Sequence, residues 1–227
     1  MDDYVISFYN DQKIKKEYII NDYFNYGSFG YIYRLDEDTC LKLFVDECYF
    51  KPNVLRTIKN LDLNNFYKIY DLLYDNKRRF CGYTMKYYAK NDIDITTMPT
   101  EYTLDNLYRL YADFKKLTHK HISAMDCYED NVIMDDKNIV IIDADCFDID
   151  KETPKEELLL DNIWELMHLF KEIYYNVLIK INNSSYDNSY ILNELFDEDA
   201  GIKNTEKKLI KYKYPIDYFK DYYRGKC

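Results

Sequence analysis

Short runs of β-branched and aromatic residues dominate the first third of the chain and predict strands. EYIINDYFNYG and GYIYRL are the first two runs, and CLKLFV follows the turn-like DEDT as a third. FYKIYDLLY and RRFCGYTMKYY predict two further strands, which are joined at DNKR. The pattern therefore predicts an antiparallel sheet of five strands.

One helix is expected within this strand-rich part of the chain. Val54, Leu55, Ile58 and Leu61 recur at helical spacing. Pro52 lies just before them and suits the first turn of a helix better than its interior. The spacing therefore predicts a helix in the segment that follows this proline.

After Tyr88 the pattern changes to helices. TLDNLYRLYADFKKLTHKH has the apolar spacing of one clear helix, and LLLDNIWELMHLFKEIYYNVLIKI is apolar on most faces, as in a buried helix. NVIMDD and NIVIID predict two short strands with a turn between them, and the remainder is expected to be helical. Strands first and helices later predict an α+β protein with two lobes, 1–87 and 88–227, that meet at a hinge at 85–89.

The histidines and the tryptophan of the helical part are expected to be structural. His168 and Trp164 both lie in the long apolar helix. We predict that His168 is a hydrogen-bonded core histidine and that Trp164 belongs to the core or to an interface. His119 and His121 are predicted to stabilise a helix end.

Composition excludes several classes of protein. With 227 residues, 47% hydrophobic and 32% charged, the chain is long and apolar enough to fold around a core. The formal net charge of -10 argues against a nucleic-acid partner and leaves room for an acidic site that a metal ion neutralises. The six cysteines include no C-x-x-C pair, which disfavours a zinc site. No apolar run is long enough to span a membrane and no signal peptide is evident, so free thiols in the cytoplasm are expected, with the oligomeric state left open.

Two glycines and a lysine are candidates for phosphate binding. Gly27 and Gly30 lie between two predicted strands in NYGSFGYIYRL, where glycine lets the backbone approach phosphate oxygens closely. An ordinary hairpin with a glycine bulge is the alternative, while a dinucleotide fingerprint would need a helix after the loop. Lys42 follows one strand later and is placed either to reach nucleotide phosphates or to lie on the surface.

The stretch MDCYEDNVIMDDKNIVIIDAD contains the candidate catalytic residues. Asp126 and Asn131 precede one predicted strand and Asp143 ends the next, so the three side chains could converge at the edge of a β-hairpin. Aspartate and asparagine oxygens suit magnesium, and Asp126 could accept a hydroxyl proton while the other two hold the metal. Because turns favour these residue types in any case, the order of the set is what indicates a site.

Taken in order, these motifs resemble the protein kinase-like superfamily over nearly the whole chain. YGSFGYIYRL resembles its glycine-rich loop, CLKLF its third-strand lysine motif and YTMKYY its hinge. LTHKHISAMDCYEDNVIM resembles its catalytic loop, here 124–131, and IIDAD resembles its Asp-Phe-Gly metal motif, here 143–145. The resemblance implies a bilobal kinase-like fold with a five-stranded sheet and one helix in the first lobe, and a mainly helical second lobe with a catalytic β-hairpin.

The resemblance also implies a role for each matching residue. Asp126 would be the catalytic base, Lys42 would orient the phosphates, and Asp161 in DNIWELMHLF would brace the catalytic loop. Magnesium would be bound by Asn131, by Asp143 and, as in the small-molecule branch, by Asp145. ATP would be bound by the glycine loop, the strand lysine and the hinge, namely Gly27, Ser28, Phe29, Gly30, Ile32, Lys42, Met85, Lys86 and Tyr88.

Two functional hypotheses follow from this resemblance. The first is an ATP- and magnesium-dependent phosphotransferase acting on a protein Ser/Thr hydroxyl; an aminoglycoside- or choline-like small molecule is the alternative, because Tyr128 replaces the lysine or histidine usual at that position. The second is a pseudokinase scaffold that binds nucleotide without turnover. Ala124 and Met125 replace the usual His-Arg, and Glu47 is the nearest candidate for the acidic partner of the strand lysine. The first hypothesis is favoured because four polar site residues are all present, namely Lys42, Asp126, Asn131 and Asp143.

Overall fold

The computed structural model describes residues 4–20, 23, 25–27, 29–45, 52–89, 95–182, 188–197 and 199–225. The chain divides into two compact units. Unit 1 comprises Met1–Asp62 and Tyr67–Ala89, and unit 2 comprises Leu63–Phe66 and Lys90–Cys227. Unit 1 is built on an antiparallel sheet and unit 2 mainly on helices, so the α+β class is confirmed.

In the described part of unit 1, seven strands form one antiparallel sheet in the order β2-β1-β6-β7-β5-β4-β3. The prediction of five strands was therefore wrong. The sequence interpretation missed the first strand, whose signal is the alternation of inward Ile6 and Phe8 with exposed Val5 and Ser7. It also merged β2 and β3 into one run. The strands are β1 (Tyr4–Asn10), β2 (Lys15–Ile20), β3 (Asn25–Gly27), β4 (Gly30–Arg34), β5 (Thr39–Phe44), β6 (Ile69–Tyr74) and β7 (Phe80–Lys86).

The predicted helix of unit 1 is present as α1 (Pro52–Lys59). It begins at the proline, whose missing N–H is not needed in a first turn. Val54, Leu55 and Ile58 are buried, as their spacing predicted. The helix packs on β6, so the apolar stripe read from the sequence is the face that covers the sheet.

Side chains of β5 alternate between the two faces of the sheet. Leu41 and Leu43 face an apolar cluster that also includes Leu73. Lys42 points to the opposite face, because residues next to each other in a strand lie on opposite sides. Its cross-strand neighbours there are Ile32 and Tyr83. The lysine is thereby placed among apolar and aromatic side chains.

Unit 2 contains five helices among its described residues and two small antiparallel sheets. The predicted hairpin is confirmed as β9 (Val132–Met134) paired with β10 (Ile139–Ile141), and β8 (Ile122–Ser123) pairs with β11 (Asp148–Ile149). No helix among the residues described is both long and apolar enough to cross a membrane. The helices are α2 (Thr100–His119), α3 (Lys155–Asn182), α4 (Asn188–Leu195), α5 (Ile202–Leu209) and α6 (Pro215–Tyr223).

A buried polar network ties Leu63–Phe66 into unit 2. The carboxylate of Asp113, fully buried on α2, accepts the backbone N–H groups of Asn64 and Asn65, each at 2.8 Å. The Asn65 side chain donates to Asn106 at 2.7 Å and to the carbonyl of Ile139 at 2.6 Å. This network connects α2 to β10 and so supports the hairpin from which Asn131 and Asp143 extend.

Candidate active site

Lys42 is buried in the sheet of unit 1, with 4% of its surface exposed. A lysine is seldom this buried without a specific role. The alternative that it lies on the surface, which the sequence left open, is therefore wrong. Cross-strand pairing brings it directly opposite Ile32 of the strand that follows the glycine loop.

The two loop glycines differ in whether the fold requires glycine at their position. A Cβ at Gly30 would lie 2.3 Å from the carbonyl oxygen of Leu43, so the packing of β4 against β5 demands glycine there. Gly27 has open space around its Cβ position, so neither packing nor a left-handed backbone requires it. The two residues pair with each other at the end of the β3–β4 hairpin. Ser28 of the same loop and Glu47, the proposed partner of Lys42, lie outside the described residues.

The predicted hinge residues lie at the end of β7 and just after it: Met85 and Lys86 are its last two residues, and Tyr88 follows. Met85 is buried and pairs with Cys40 of β5. The backbone N–H of Lys86 donates to the carbonyl of Lys68 at 2.9 Å, so this amide is engaged within unit 1. Tyr88 is half-buried, and this burial raises the pKa of its phenol. A ligand at Lys86 would therefore meet the carbonyl rather than the amide of this residue.

In unit 2, Asp126 has a left-handed backbone, with φ of 61°. Aspartate is one of the few residues that adopt this conformation, at a cost of about 1 kcal/mol. The side-chain amide of Asn131 donates to the Asp126 carbonyl at 2.9 Å and lies 3.3 Å from its carboxylate oxygen Oδ2. The two residues five positions apart that the sequence singled out are therefore in direct contact.

The segment 143–146 lies against this loop. The Cys146 thiol lies close to the Asp126 carboxylate. Burial, and then the negative charges of Asp126, Asp143 and Asp145, raise the pKa of Cys146 to about 12. The backbone N–H of Asp145 donates to Oδ1 of Asp143 at 3.1 Å. Cys146, which the sequence interpretation did not select, thus marks the point where three acidic site residues come near one another.

Helix α3 braces the catalytic loop, but through a different residue from the one expected. Asp161 is exposed, whereas the next residue, Asn162, is fully buried. The backbone N–H of Ala124 donates to Oδ1 of Asn162 at 2.7 Å, and Nδ2 of Asn162 donates to Thr118 at 2.8 Å and to the carbonyl of Ile122 at 3.0 Å. The role assigned to Asp161 by resemblance is therefore wrong, because at this turn of α3 the buried direction falls one residue later.

A second brace lies one turn further along α3, at Glu165. Its carboxylate is 3.5 Å from the backbone N–H of Cys127, the residue after Asp126. Burial raises the pKa of Glu165, and the negative charge of Asp126 adds to this shift. Asn162 and Glu165 thus contact the loop on both sides of the candidate base. Only their i, i+3 spacing and polar character in an apolar helix could have indicated them beforehand.

His168 is half-buried and Trp164 is exposed, so neither residue lies in the core. This corrects the prediction for His168, and for Trp164 it removes the core and leaves the interface as the remaining expectation. Trp164 is 49% exposed, and its ring stacks on that of His168 with a centroid distance of 5.1 Å and an interplanar angle of 6°. Tyr128 approaches the same histidine edge-on at 5.7 Å, and Glu172 lies 3.5 Å from its Nε2. The hydrophobic pattern did not predict this exposure, because aromatic residues also lie on the side of α3 that is not fully buried.

The donor atoms at the predicted metal ligands fit magnesium. Asn131, Asp143 and Asp145 offer amide and carboxylate oxygens, and magnesium takes most of its other ligands from water and phosphates. Within the described ranges, no group of three or more His, Cys, Asp or Glu side chains is arranged so that it could hold a metal ion.

Comparison with protein families and with curated proteins identifies no relative. No protein-family model matches this sequence, and no curated protein matches it. The function of the protein is therefore inferred from the order of its motifs and from the geometry within each unit.

Proposed function

We propose that this protein is an ATP- and magnesium-dependent phosphotransferase that transfers the γ-phosphoryl group of ATP to an alcohol. The observation that supports this most is the environment of Asp126. A strained aspartate is held by Asn131, and its loop is braced by Asn162 and Glu165. A scaffold would have no chemical need for a carboxylate fixed in this way, whereas strained backbones are typical of catalytic sites.

Unit 1 supplies the groups for ATP in this proposal. Lys42 binds the phosphates, and the backbone at Gly27 and Gly30 approaches them closely. The carbonyl of Lys86 accepts a hydrogen bond from the adenine amine, and the amide of Tyr88 donates one to a ring nitrogen. This division of roles is consistent with the Lys86 amide being engaged by Lys68.

Unit 2 supplies the catalytic base and the metal ligands. Asn131, Asp143 and Asp145 would hold magnesium, which supplies positive charge to the phosphates as the bond to the leaving group breaks. Asp126 orients the acceptor hydroxyl and accepts its proton. Catalysis in such a site is mostly positioning and charge stabilisation, so a braced loop is what the reaction requires.

The proposal leaves two classes of acceptor. A protein Ser/Thr hydroxyl and the hydroxyl of a small molecule are the two candidates, and Tyr128 does not decide between them. A cytoplasmic location fits the proposal, because ATP is present there and the free thiols of Cys40, Cys81, Cys127 and Cys146 would stay reduced.

Thermal unfolding with and without ATP and magnesium tests the nucleotide site. We expect a rise in Tm for the wild type that needs both components, equivalent to about 2.7 kcal/mol when ATP is a hundredfold above its Kd. Asp143→Ala should lose the magnesium-dependent part. Asp136→Ala, an exposed residue in the β9–β10 turn, is the matched control and should behave as the wild type.

The remaining outcomes separate the alternatives. No rise in Tm for the wild type would contradict ATP binding and with it the proposed function. A rise without phosphoryl transfer to any protein or small-molecule alcohol would instead support a nucleotide-binding scaffold.

A further inference from the structure

Helix α5 and the turn that follows it are basic, although the chain as a whole is acidic. The formal net charge is -10, yet the segment 202–214 contains five lysines and one acidic residue, Glu206. Glu206 accepts a hydrogen bond from the Tyr108 hydroxyl at 2.6 Å, and Lys208 pairs with Glu194 at 3.0 Å. Within the described part of the chain, the other four lysines form no ion pair.

These four lysines lie on the solvent side of α5 and of the turn after it. The buried residues of the helix are Ile202, Thr205 and Leu209. Three of the lysines are spaced four positions apart, so they follow one another along the opposite face. The backbone N–H of Ile210 donates to the carbonyl of Glu206 at 2.9 Å, so this face continues past the last residue of α5. The α5 basic surface consists of five exposed residues, Lys203, Lys207, Ile210, Lys211 and Lys213.

An aliphatic side chain lies among these lysines. Ile210 is 65% exposed, although isoleucine is one of the residues most often buried. Two half-buried tyrosines follow it, and a lysine ammonium lies over each ring, with Lys211 5.0 Å from the centroid of Tyr212 and Lys213 5.1 Å from that of Tyr214. A protruding aliphatic residue beside tyrosines and lysines is typical of protein surfaces that contact the interface of a membrane.

We propose that the α5 basic surface binds reversibly to the surface of a bilayer that contains anionic phospholipids. The lysines neutralise lipid phosphate and carboxylate groups, and Ile210 enters the boundary between headgroups and acyl chains. The acidic remainder of the chain does not prevent this contact, because exposed charges more than about 8 Å apart are largely screened at physiological ionic strength. This inference is independent of the proposed function.

The exposed isoleucine favours a lipid surface over other polyanions. Nucleic acid would be bound by the lysines and by stacking of its bases on an open aromatic ring, and an isoleucine adds little to either contact. The ring of Tyr212 already packs against Tyr218, with a centroid distance of 5.8 Å. An acidic protein would need a pocket shaped for Ile210, whereas a bilayer accepts any protruding aliphatic side chain.

Co-sedimentation of the full chain with vesicles tests this binding. One set of vesicles contains phosphatidylcholine alone and the other contains about 30% phosphatidylserine as well, both in about 0.1 M salt. We expect half-maximal binding at about 0.1–1 mM accessible lipid when phosphatidylserine is present, and release of the protein at about 0.5 M salt. Equal binding to both kinds of vesicle, or none to the anionic vesicles at about 5 mM lipid, would overturn the proposal.

A pair of double variants locates the contact. Lys207→Gln with Lys211→Gln should weaken binding to the anionic vesicles by about 25-fold, which is roughly fivefold for each lysine. Lys120→Gln with Lys151→Gln removes the same charge from exposed positions elsewhere in unit 2 and should leave binding nearly unchanged. Equal effects of the two double variants would show that net charge, and not the α5 basic surface, governs the binding.

Ile210→Ser separates lipid from other polyanions. It should weaken binding to the anionic vesicles by about fivefold or more, and leave binding to heparin, which has no acyl chains, unchanged. Ile179→Ser, at an exposed isoleucine of α3, is the control and should bind vesicles as the wild type does. Wild-type vesicle affinity of Ile210→Ser would reduce the contact to one that any polyanion makes and would overturn the assignment to lipid. The measurements need no ATP, so their failure and the failure of the proposed function are distinguishable.

Discussion

The side-chain oxygen of Asn162 accepts a hydrogen bond from the backbone N–H of Ala124 at 2.7 Å. Both residues are buried, and Ala124 lies two positions before Asp126. The conformation of the catalytic loop is thus fixed from a helix that begins about thirty residues later in the chain. Asn162 also donates hydrogen bonds to Thr118 of α2 and to Ile122 of β8. One side chain of α3 therefore connects the catalytic loop to α2 and to β8.

Replacing Asn162 should therefore lower the stability of the protein. Asn162→Ala leaves one buried donor and two buried acceptors without their partner, and we expect a loss of about 2–4 kcal/mol in the free energy of unfolding. Urea unfolding measures this loss. The neighbouring variant Asp161→Ala should stay within about 0.5 kcal/mol of the wild type, since Asp161 is exposed. A larger loss for Asp161→Ala than for Asn162→Ala would reverse the assignment.

The two glycines of the β3–β4 hairpin should respond differently to alanine. Gly30→Ala places a Cβ 2.3 Å from the Leu43 carbonyl, so the strands must shift, and a loss of about 1–3 kcal/mol in stability is expected. Gly27→Ala meets open space and should leave stability nearly unchanged. If the loop covers the phosphates of ATP, Gly27→Ala should nevertheless weaken ATP binding. Titration of both variants with ATP and magnesium checks this, and wild-type affinity of Gly27→Ala would remove the loop from the nucleotide site.

Asp126→Asn should separate catalysis from folding and from nucleotide binding. Asparagine tolerates the left-handed backbone as aspartate does, so the loop should keep its conformation. Without a carboxylate to accept the proton, kcat should fall by about 10²- to 10⁴-fold. The rise in Tm with ATP and magnesium should persist. Asp130→Asn, an exposed change in the same loop, is the control, and an equal loss of kcat in both variants would argue against a base at Asp126.

Glu165 should make stability depend on pH in a defined direction. Its pKa in the folded protein is raised by burial above the ordinary value of 4.5. The folded state therefore holds this proton more tightly than the unfolded state, and the associated stability is present at low pH and lost as the pH rises through the raised pKa. Glu165→Gln cannot ionise, so the stability of the variant relative to the wild type should increase across that interval and then level off. Urea unfolding from acidic to neutral pH measures the difference, and a constant or opposite difference would contradict the burial argument.

Local patterns in the sequence predicted those parts of the fold that local interactions determine. Helix α1 begins at Pro52 and buries three of the four apolar residues that its spacing indicated, whereas the fourth, Leu61, lies beyond the end of the helix. The β9–β10 hairpin was visible as two short apolar runs separated by Asp and Asn, which favour turns. The contact between Asp126 and Asn131 lies within one loop, so five-residue spacing was enough to suggest it.

The features that the sequence did not predict depend on packing between distant segments. Whether Asp161 or Asn162 faces the loop depends on the rotation of α3 about its axis, which its nearly uniform apolar pattern does not specify. The exposure of Trp164 depends on the same rotation of α3. The approach of Cys146 to Asp126 connects two loops through a hairpin, and no short-range pattern encodes such a contact.

The left-handed backbone at Asp126 also limits which sequences this position can accept. A β-branched side chain there would add a steric conflict to the loss of the carboxylate, whereas glycine would relieve the strain while removing the chemistry. A saturation library at this position should accordingly rank glycine and asparagine highest for abundance of folded protein, and only aspartate for phosphoryl transfer. The residue at position 126 that gives the most folded protein is then different from the one that supports phosphoryl transfer. Substitutions that stabilise this loop would therefore abolish activity while the fold stays intact.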